Sequence, residues 1–278
     1  MLVSSKELYN AARKNNFAIP AANFVDQNSI KAYIEVAEKL NLPLILAFAE
    51  AHKNYLSFDE ALLLGKYYGE KAKVPVVLHL DHGTTKELIF RAIDEGFNSV
   101  MIDASMDSFE ENVRKTKEIV EYAHLKGVVV EAEIGHVGGG EDYKSKDDSD
   151  SIYTTVEEAK KFTELTDVDS LAISIGTAHG AYKGTPVIDF ERLKEIRAAI
   201  DTPLVLHGGS SSGDDNLERC ALGGISKINI YTDFVTAALK KSQSAKFSDY
   251  YDLRDALKDG MKECLEHYYG VFHTKEFK

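Results

Sequence analysis

The chain has 278 residues and a formal net charge of -12, from 33 Lys+Arg against 45 Asp+Glu. That acidity argues against nucleic acid as the main partner, though a locally positive pocket could still take a phosphorylated substrate. No apolar run approaches a membrane span, MLVSSKELYNAARKN lacks the apolar core of a signal peptide, and two distant cysteines, Cys220 and Cys264, suit buried thiols in a reducing cytoplasm.

Short apolar runs alternate with amphipathic stretches eight times. The first run is 17–24, and 28–40 then reads as a helix with Ile30, Tyr33, Ile34, Ala37 and Leu40 on one face. The second run is 44–49, with a helix over 58–71. The third, 76–80, opens after Pro75, is apolar but for His79, and ends in Asp81, His82 and Gly83. It reads as a strand buried on both faces. The bland reading of its end is a helix cap, with Asp81 or Thr84 capping the helix that begins near Thr85. The fourth run is 99–105, followed by a long helix over 109–126. The remaining runs are 128–134, 171–175, 204–206 and 227–230. Beyond Thr232 the pattern is helical, over 234–241 and 252–269.

Strand–helix alternation with Gly or Pro at the joints predicts right-handed βαβ units and a parallel sheet. Eight units at this length predict an α/β fold, a (β/α)8 TIM barrel, as a single domain over 1–278 with a C-terminal helical extension. An open doubly wound sheet is the alternative, because periodicity does not report closure. Two connections, 135–153 and 176–189, are too long for plain joints. Both follow strands, on the face where barrel enzymes keep their sites. The first is expected to be a mobile lid and the second an ordered ligand loop.

Polar residues collect at the strand ends: Asp81 and His82, Asp103, Glu133, His179, His207 and Asn229. In a barrel these ends form one ring around one pocket. His82, His179 and His207 then make a credible set for Zn²⁺ with a position left for substrate. Each histidine taken singly reads as a hydrogen-bonded rim residue. His79 shares the face of Asp81 and reads as a packing or supporting residue. His52, His124, His136, His267 and His273 receive no role. Gly208, Gly209, Ser210 and Ser211 follow the seventh strand. Gly180, Lys183 and Gly184 follow the sixth, and Asn229 and Thr232 the eighth. Backbone N–H groups of such turns, with nearby hydroxyls, cradle phosphate oxygens.

LHLDHGT, VMIDAS, VEAEIGHVGGGED, GTAHGAYKG, VLHGGSS and KINIYTD together resemble, in order and spacing, the segments of class II, metal-dependent ketose-bisphosphate aldolases. The resemblance runs from about Ser5 to Phe272. It implies a (β/α)8 barrel and reversible cleavage of a phosphorylated ketose to dihydroxyacetone phosphate and an aldehyde, through a metal-stabilised enediolate. It implies zinc on His82, His179 and His207. It implies that Asp103 and Glu133 hold a second metal or the zinc in a displaced position, the second cofactor being either a divalent metal or a monovalent cation. Asp81 matches the acid/base at the C4 hydroxyl. Glu141 matches a lid glutamate that moves the proton at the dihydroxyacetone phosphate carbon. Gly180, Lys183, Gly208, Gly209, Ser210, Asn229 and Thr232 match the dihydroxyacetone phosphate site, and Asn23 an early substrate contact. A homodimer or homotetramer is expected.

The departures bear on substrate. Fructose-selective members usually read NIDTD where this chain has Tyr231, toward the aldehyde half. Ala49 or Glu50 stands where Ser or Thr is common. Arg254, in DLRDAL, resembles an arginine that reaches a neighbouring subunit's distal phosphate, but Leu253 replaces a proline. The expected substrate is a ketose 1-phosphate or 1,6-bisphosphate, with glycolytic fructose-1,6-bisphosphate cleavage as the alternative. A barrel metallohydrolase would explain the histidines but not the phosphate turns. A catalytically silent sugar-phosphate-binding partner would be favoured by loss of Asp81, Glu141 or a histidine; all are present.

Overall fold

The computed structural model of the chain describes residues 1–137, 153–180 and 186–277. Among these, eight parallel strands close into a barrel in sequence order. They are β1 (Ile19–Asn23), β2 (Leu44–Ala49), β3 (Val76–Gly83), β4 (Ser99–Ile102), β5 (Val129–Ile134), β6 (Ser170–Ile173), β7 (Leu204–Leu206) and β8 (Ile225–Ile230). Closure comes from β1 pairing with β8, Ala21 opposite Asn229. The open sheet is thereby excluded.

Strand alternation sorts the side chains into two sets. Leu44, Leu46 and Phe48 of β2 and Leu78 and Leu80 of β3 belong to the core between strands and helices. The residues between them, such as Val77, His79 and Asp81, face the barrel interior. Both faces are therefore buried, which is why the strands read as nearly unbroken apolar runs.

Helices α1 (Ser5–Asn15), α2 (Gln27–Leu40), α3 (Phe58–Lys71), α4 (Lys86–Glu95) and α5 (Phe109–His124) lie in the first half. Helices α6 (Val156–Thr166), α7 (Phe190–Ala199) and α8 (Asp214–Gly223) follow, then α9 (Thr232–Ser244) and α10 (Tyr250–Val271). α1 has no strand before it. Its Leu8, Tyr9 and Ala12 pack with Ile19, Ala21, Ile45 and Val77 inside the barrel. Full burial of each Leu, Ile or Val side chain in this set contributes about 1.5–3 kcal/mol.

Asp26 with Ser29, Ser57 with Glu60, and Thr155 with Glu158 form capping boxes that start α2, α3 and α6. Each cap is worth about 1 kcal/mol. α4 is capped by Thr85, whose side chain accepts from the Leu88 N–H. The cap expected at Asp81 or Thr84 is not formed, and Asp81 is left for the barrel mouth. α10 closes the structure over β1, with Ala18 N–H donating to the Phe272 carbonyl.

Candidate active site

In a regular strand, neighbouring side chains alternate between faces. Asp81 and His82 nevertheless both line one cavity of about 370 Å³ at the C-terminal mouth of the barrel. The β3–β4 register shifts between Leu80 and Gly83, and His82 sits in the left-handed region at φ 49°. The bulge and the left-handed residue turn His82 back toward the mouth. The strand itself continues to Gly83, three residues beyond the apolar run that marks it in the sequence.

His82, His179 and His207 come together there, with one nitrogen of each within 4.8 Å of the others. In each ring the other nitrogen faces an acceptor. His82 Nδ1 lies 2.7 Å from Asp103 Oδ2, His207 Nε2 lies 2.9 Å from Glu131 Oε1, and His179 Nδ1 donates to the Val137 carbonyl at 3.0 Å. In a neutral ring, an outward N–H leaves a lone pair turned inward. His179 Nε2 is buried with no hydrogen-bond partner among the described residues. Outer N–H groups tied to carboxylates or carbonyls are how proteins orient histidines that ligate a metal. The donor set therefore fits Zn²⁺.

Burial, then the other two histidines, lowers His179 to about 4. Burial works in the same direction on His207. On His82 burial is outweighed by Asp81, with Asp103 and Glu133 adding to it, and the ring is raised to about 9.

His82 belongs to a second possible ligand set with Asp103 and Glu133, again within 4.8 Å. Glu133 Oε1 accepts from Val137 N–H at 3.1 Å, while its Oε2 is buried without a partner among the described residues. Burial and then Asp103 push Glu133 up to about 8. Two neighbouring carboxylates, one uncompensated, suit a cation.

Asp81 is buried and accepts from Asn23 Nδ2 at 2.8 Å and Asn229 Nδ2 at 2.9 Å. Burial alone would raise its pKa. His82, His207 and Lys227 outweigh it and hold the carboxyl well below the usual carboxylate range. Asp81 is thus an ionised acceptor beside the histidines, as a general base must be.

Gly180, Gly208, Ser210, Asn229, Tyr231 and Thr232 line the same cavity. Ser210 Oγ accepts from the N–H groups of Tyr231 and Asp233, at 3.1 and 3.3 Å, where α9 begins. Its hydroxyl proton can then go to an acceptor in the cavity. Gly208 has φ 66°, and a Cβ there would lie 2.4 Å from the Ala178 carbonyl oxygen. This position needs glycine because the β7 loop presses on the segment carrying His179. Gly209 is not at the cavity; it packs on β8, its N–H donating to Asn229 O at 3.2 Å.

Arg254 lies on α10, away from the cavity of its own chain, with its guanidinium 5.8 Å from the Tyr250 ring. Glu141, Lys183 and Gly184 lie outside the described residues, as does most of the 135–153 connection.

Several residues at the site carried no functional reading in the sequence. His52, in a short 3-10 turn after β2 (Glu50–His52), lines the cavity and packs on Tyr231 with ring centroids 4.1 Å apart. His136 also lines it, beside Ser105 Oγ at 3.2 Å. Glu131 and Lys227 are fully buried beneath His207. A charge within an apolar strand was the available signal for both: Glu131 shares the face of Glu133, and Lys227 that of Asn229.

The family model described as "Fructose-bisphosphate aldolase class-II" matches residues 3–276. The YdjI aldolase from Escherichia coli K12 is similar at 34% identity and a TM-score of 0.89, covering 99% of this chain and 98% of that one. A protein from Coccidioides immitis, described as a candidate fructose-1,6-bisphosphate aldolase, matches at 31% identity and TM-score 0.85, covering 96% and 95%. The fructose-bisphosphate aldolase from Campylobacter jejuni matches at 26% identity and TM-score 0.83, covering 100% and 97%.

Proposed function

The chain belongs to the class II fructose-bisphosphate aldolase family, and from that premise we propose that it cleaves a phosphorylated ketose reversibly, with zinc, to dihydroxyacetone phosphate and an aldehyde. It is an aldolase, a carbon–carbon lyase. The observation that carries the metal reading is the inward convergence of one nitrogen each from His82, His179 and His207, their other nitrogens all committed to acceptors.

A zinc ion bound by the three histidines would supply Lewis-acid chemistry at the substrate carbonyl. Asp81 takes the proton of the C4 hydroxyl as the C3–C4 bond breaks. Its carboxylate is aimed by Asn23 and Asn229, whose amide N–H groups occupy one oxygen each. Ser210, Gly180, Gly208 and Thr232 bind the phosphate of the dihydroxyacetone half, with Lys183 added by resemblance. Glu141 returns the proton at the adjacent carbon; that role rests on the resemblance. Asp103 and Glu133 hold a displaced zinc, a second divalent metal or a monovalent cation.

The aldehyde half lies toward Tyr231 and His52. Tyr231 supplies a phenol and no carboxylate, and burial raises its pKa further, so it stays neutral. We place the substrate among ketose 1-phosphates or 1,6-bisphosphates other than fructose 1,6-bisphosphate. We also read the chain as one barrel domain, assembled as a homodimer or homotetramer; the resemblance of Arg254 to an arginine that reaches a neighbouring subunit's site supports the assembly. A cytoplasmic location agrees with the free thiols of Cys220 and Cys264, and no described helix is long and apolar enough to cross a membrane.

Product analysis over a panel of ketose phosphates tests this reading. Triose phosphate should appear, coupled to NADH oxidation, without inorganic phosphate. Phosphate release without triose phosphate would instead identify a hydrolase.

A further inference from the structure

Beneath the three histidines the barrel interior holds charges that the proposed reaction does not use. His79, Glu131 and Lys227 precede Asp81, Glu133 and Asn229 by two residues in their strands. They therefore lie one layer deeper on the same inner faces, and all three are fully buried. Lys227 Nζ is 2.8 Å from both Glu131 carboxylate oxygens and 3.1 Å from His79 Nε2. Its three protons have three acceptors. His79 must then carry its proton on Nδ1, which lies 2.8 Å from Ser99 Oγ.

Glu131 Oε1 also meets His207 Nε2 at 2.9 Å. A carboxylate only accepts, so that nitrogen is the N–H. A second contact reports the same thing from the other side. Asn229 Nδ2, which donates to Asp81, lies 3.3 Å from His207 Nδ1, making that nitrogen an acceptor.

We infer that Glu131 and Lys227 are positioning residues for the metal site, locking His207 in the tautomer that offers Nδ1, and only Nδ1, to the metal. A buried ion pair is poor evidence of stabilisation by itself, since apolar residues of similar volume often replace one at no cost. Here the pair has a directed contact that apolar residues could not reproduce. The metal half of this inference rests on the proposed function; the tautomer lock does not.

Two measurements test it. Long-range ¹H–¹⁵N correlation spectra of the wild type, metal-free and zinc-loaded, should show the His207 proton on Nε2 in both states. Zinc affinity is then measured by competition with a chromophoric chelator in two charge-balanced double variants. Glu131→Leu/Lys227→Met leaves His207 Nε2 with no acceptor, and zinc should bind roughly 10–100-fold more weakly. Glu131→Gln/Lys227→Met restores a carbonyl acceptor and should recover much of that loss. A purely structural pair would lower the melting temperature in both variants without separating their zinc affinities.

A His207 proton on Nδ1 in the wild type would overturn the inference, as would wild-type zinc affinity in the folded Leu/Met variant. If neither variant folds, the wild-type spectra decide. A wild type with the Nε2 proton but no zinc binding would overturn the proposed function, and with it the pair's metal role, while the tautomer lock stood.

Discussion

His82 Nε2 and His207 Nδ1 face each other at 2.8 Å, while the other nitrogen of each ring is committed to a carboxylate, Asp103 and Glu131. Two lone pairs cannot hold that distance without a proton or a cation between them.

In the metal-free protein the proton belongs to His82, raised from 6.5 to about 9 despite burial, because Asp81, Asp103 and Glu133 surround it. Zinc bound by the three histidines would have to displace it. Near neutral pH, zinc uptake by the three histidines should release about one proton, and affinity should rise roughly tenfold per pH unit until it flattens near pH 9. Calorimetry in buffers of different ionisation enthalpy counts the protons. The sign for stability is opposite. A pKa raised on folding stabilises the metal-free fold fully below 6.5, and that contribution is lost as pH rises through about 9. Zinc affinity independent of pH across this window, with no proton released, would contradict the assignment.

Asp81→Ala should slow carbon–carbon cleavage by about 10²–10⁴-fold, the range of general acid–base groups. Bound zinc should stay near one equivalent, since Asp81 is not a proposed ligand. Metal analysis beside the rate assay separates the two effects. Loss of zinc along with activity would place Asp81 in the ligand set instead.

Gly208→Ala should weaken phosphate-ester binding and the fold together. Its left-handed φ costs an alanine roughly 1–2 kcal/mol, and the new Cβ meets the Ala178 carbonyl. KM should rise more than kcat falls, and the melting temperature should drop. An unchanged KM would show that the β7 turn is not part of the phosphate site.

Tyr231→Asp should shift preference toward fructose 1,6-bisphosphate, by supplying the carboxylate that fructose-selective members carry there. Losing a polar contact built for one hydroxyl typically costs more than losing a methylene, because the partner group is left unpaired. The comparison is kcat/KM for fructose 1,6-bisphosphate, tagatose 1,6-bisphosphate and several ketose 1-phosphates. A wild-type preference for fructose 1,6-bisphosphate of about tenfold, or 1.4 kcal/mol, would show that Tyr231 does not set specificity. His52 enters the same test, since its ring packs against Tyr231 with centroids 4.1 Å apart.

The strands were legible because both their faces are buried, so apolar runs survive without alternation. Asp81, His82, Asp103, His207 and Asn229 were legible because polar residues at the ends of such runs stand out. The left-handed turn at His82 was not: a bulge depends on the neighbouring strand's register, which composition does not carry. Glu131 and Lys227 were visible as charges inside strands, yet their pairing spans 96 positions and exists only once the barrel closes. His52 was given no role because its partner, Tyr231, comes from the far end of the chain. α1 went unread because no strand precedes it and its apolar face packs inside the barrel, outside the βαβ pattern.

The central claim is metal-dependent aldol cleavage at His82, His179 and His207. Its most direct test is triose phosphate formation from a cleaved ketose phosphate, followed as zinc is titrated into chelator-stripped protein, for wild type and His207→Ala. Wild type should be inactive when stripped and regain full activity near one zinc per chain, while a folded His207→Ala protein should bind zinc weakly and stay inactive. Full cleavage by the stripped wild-type protein would contradict the claim.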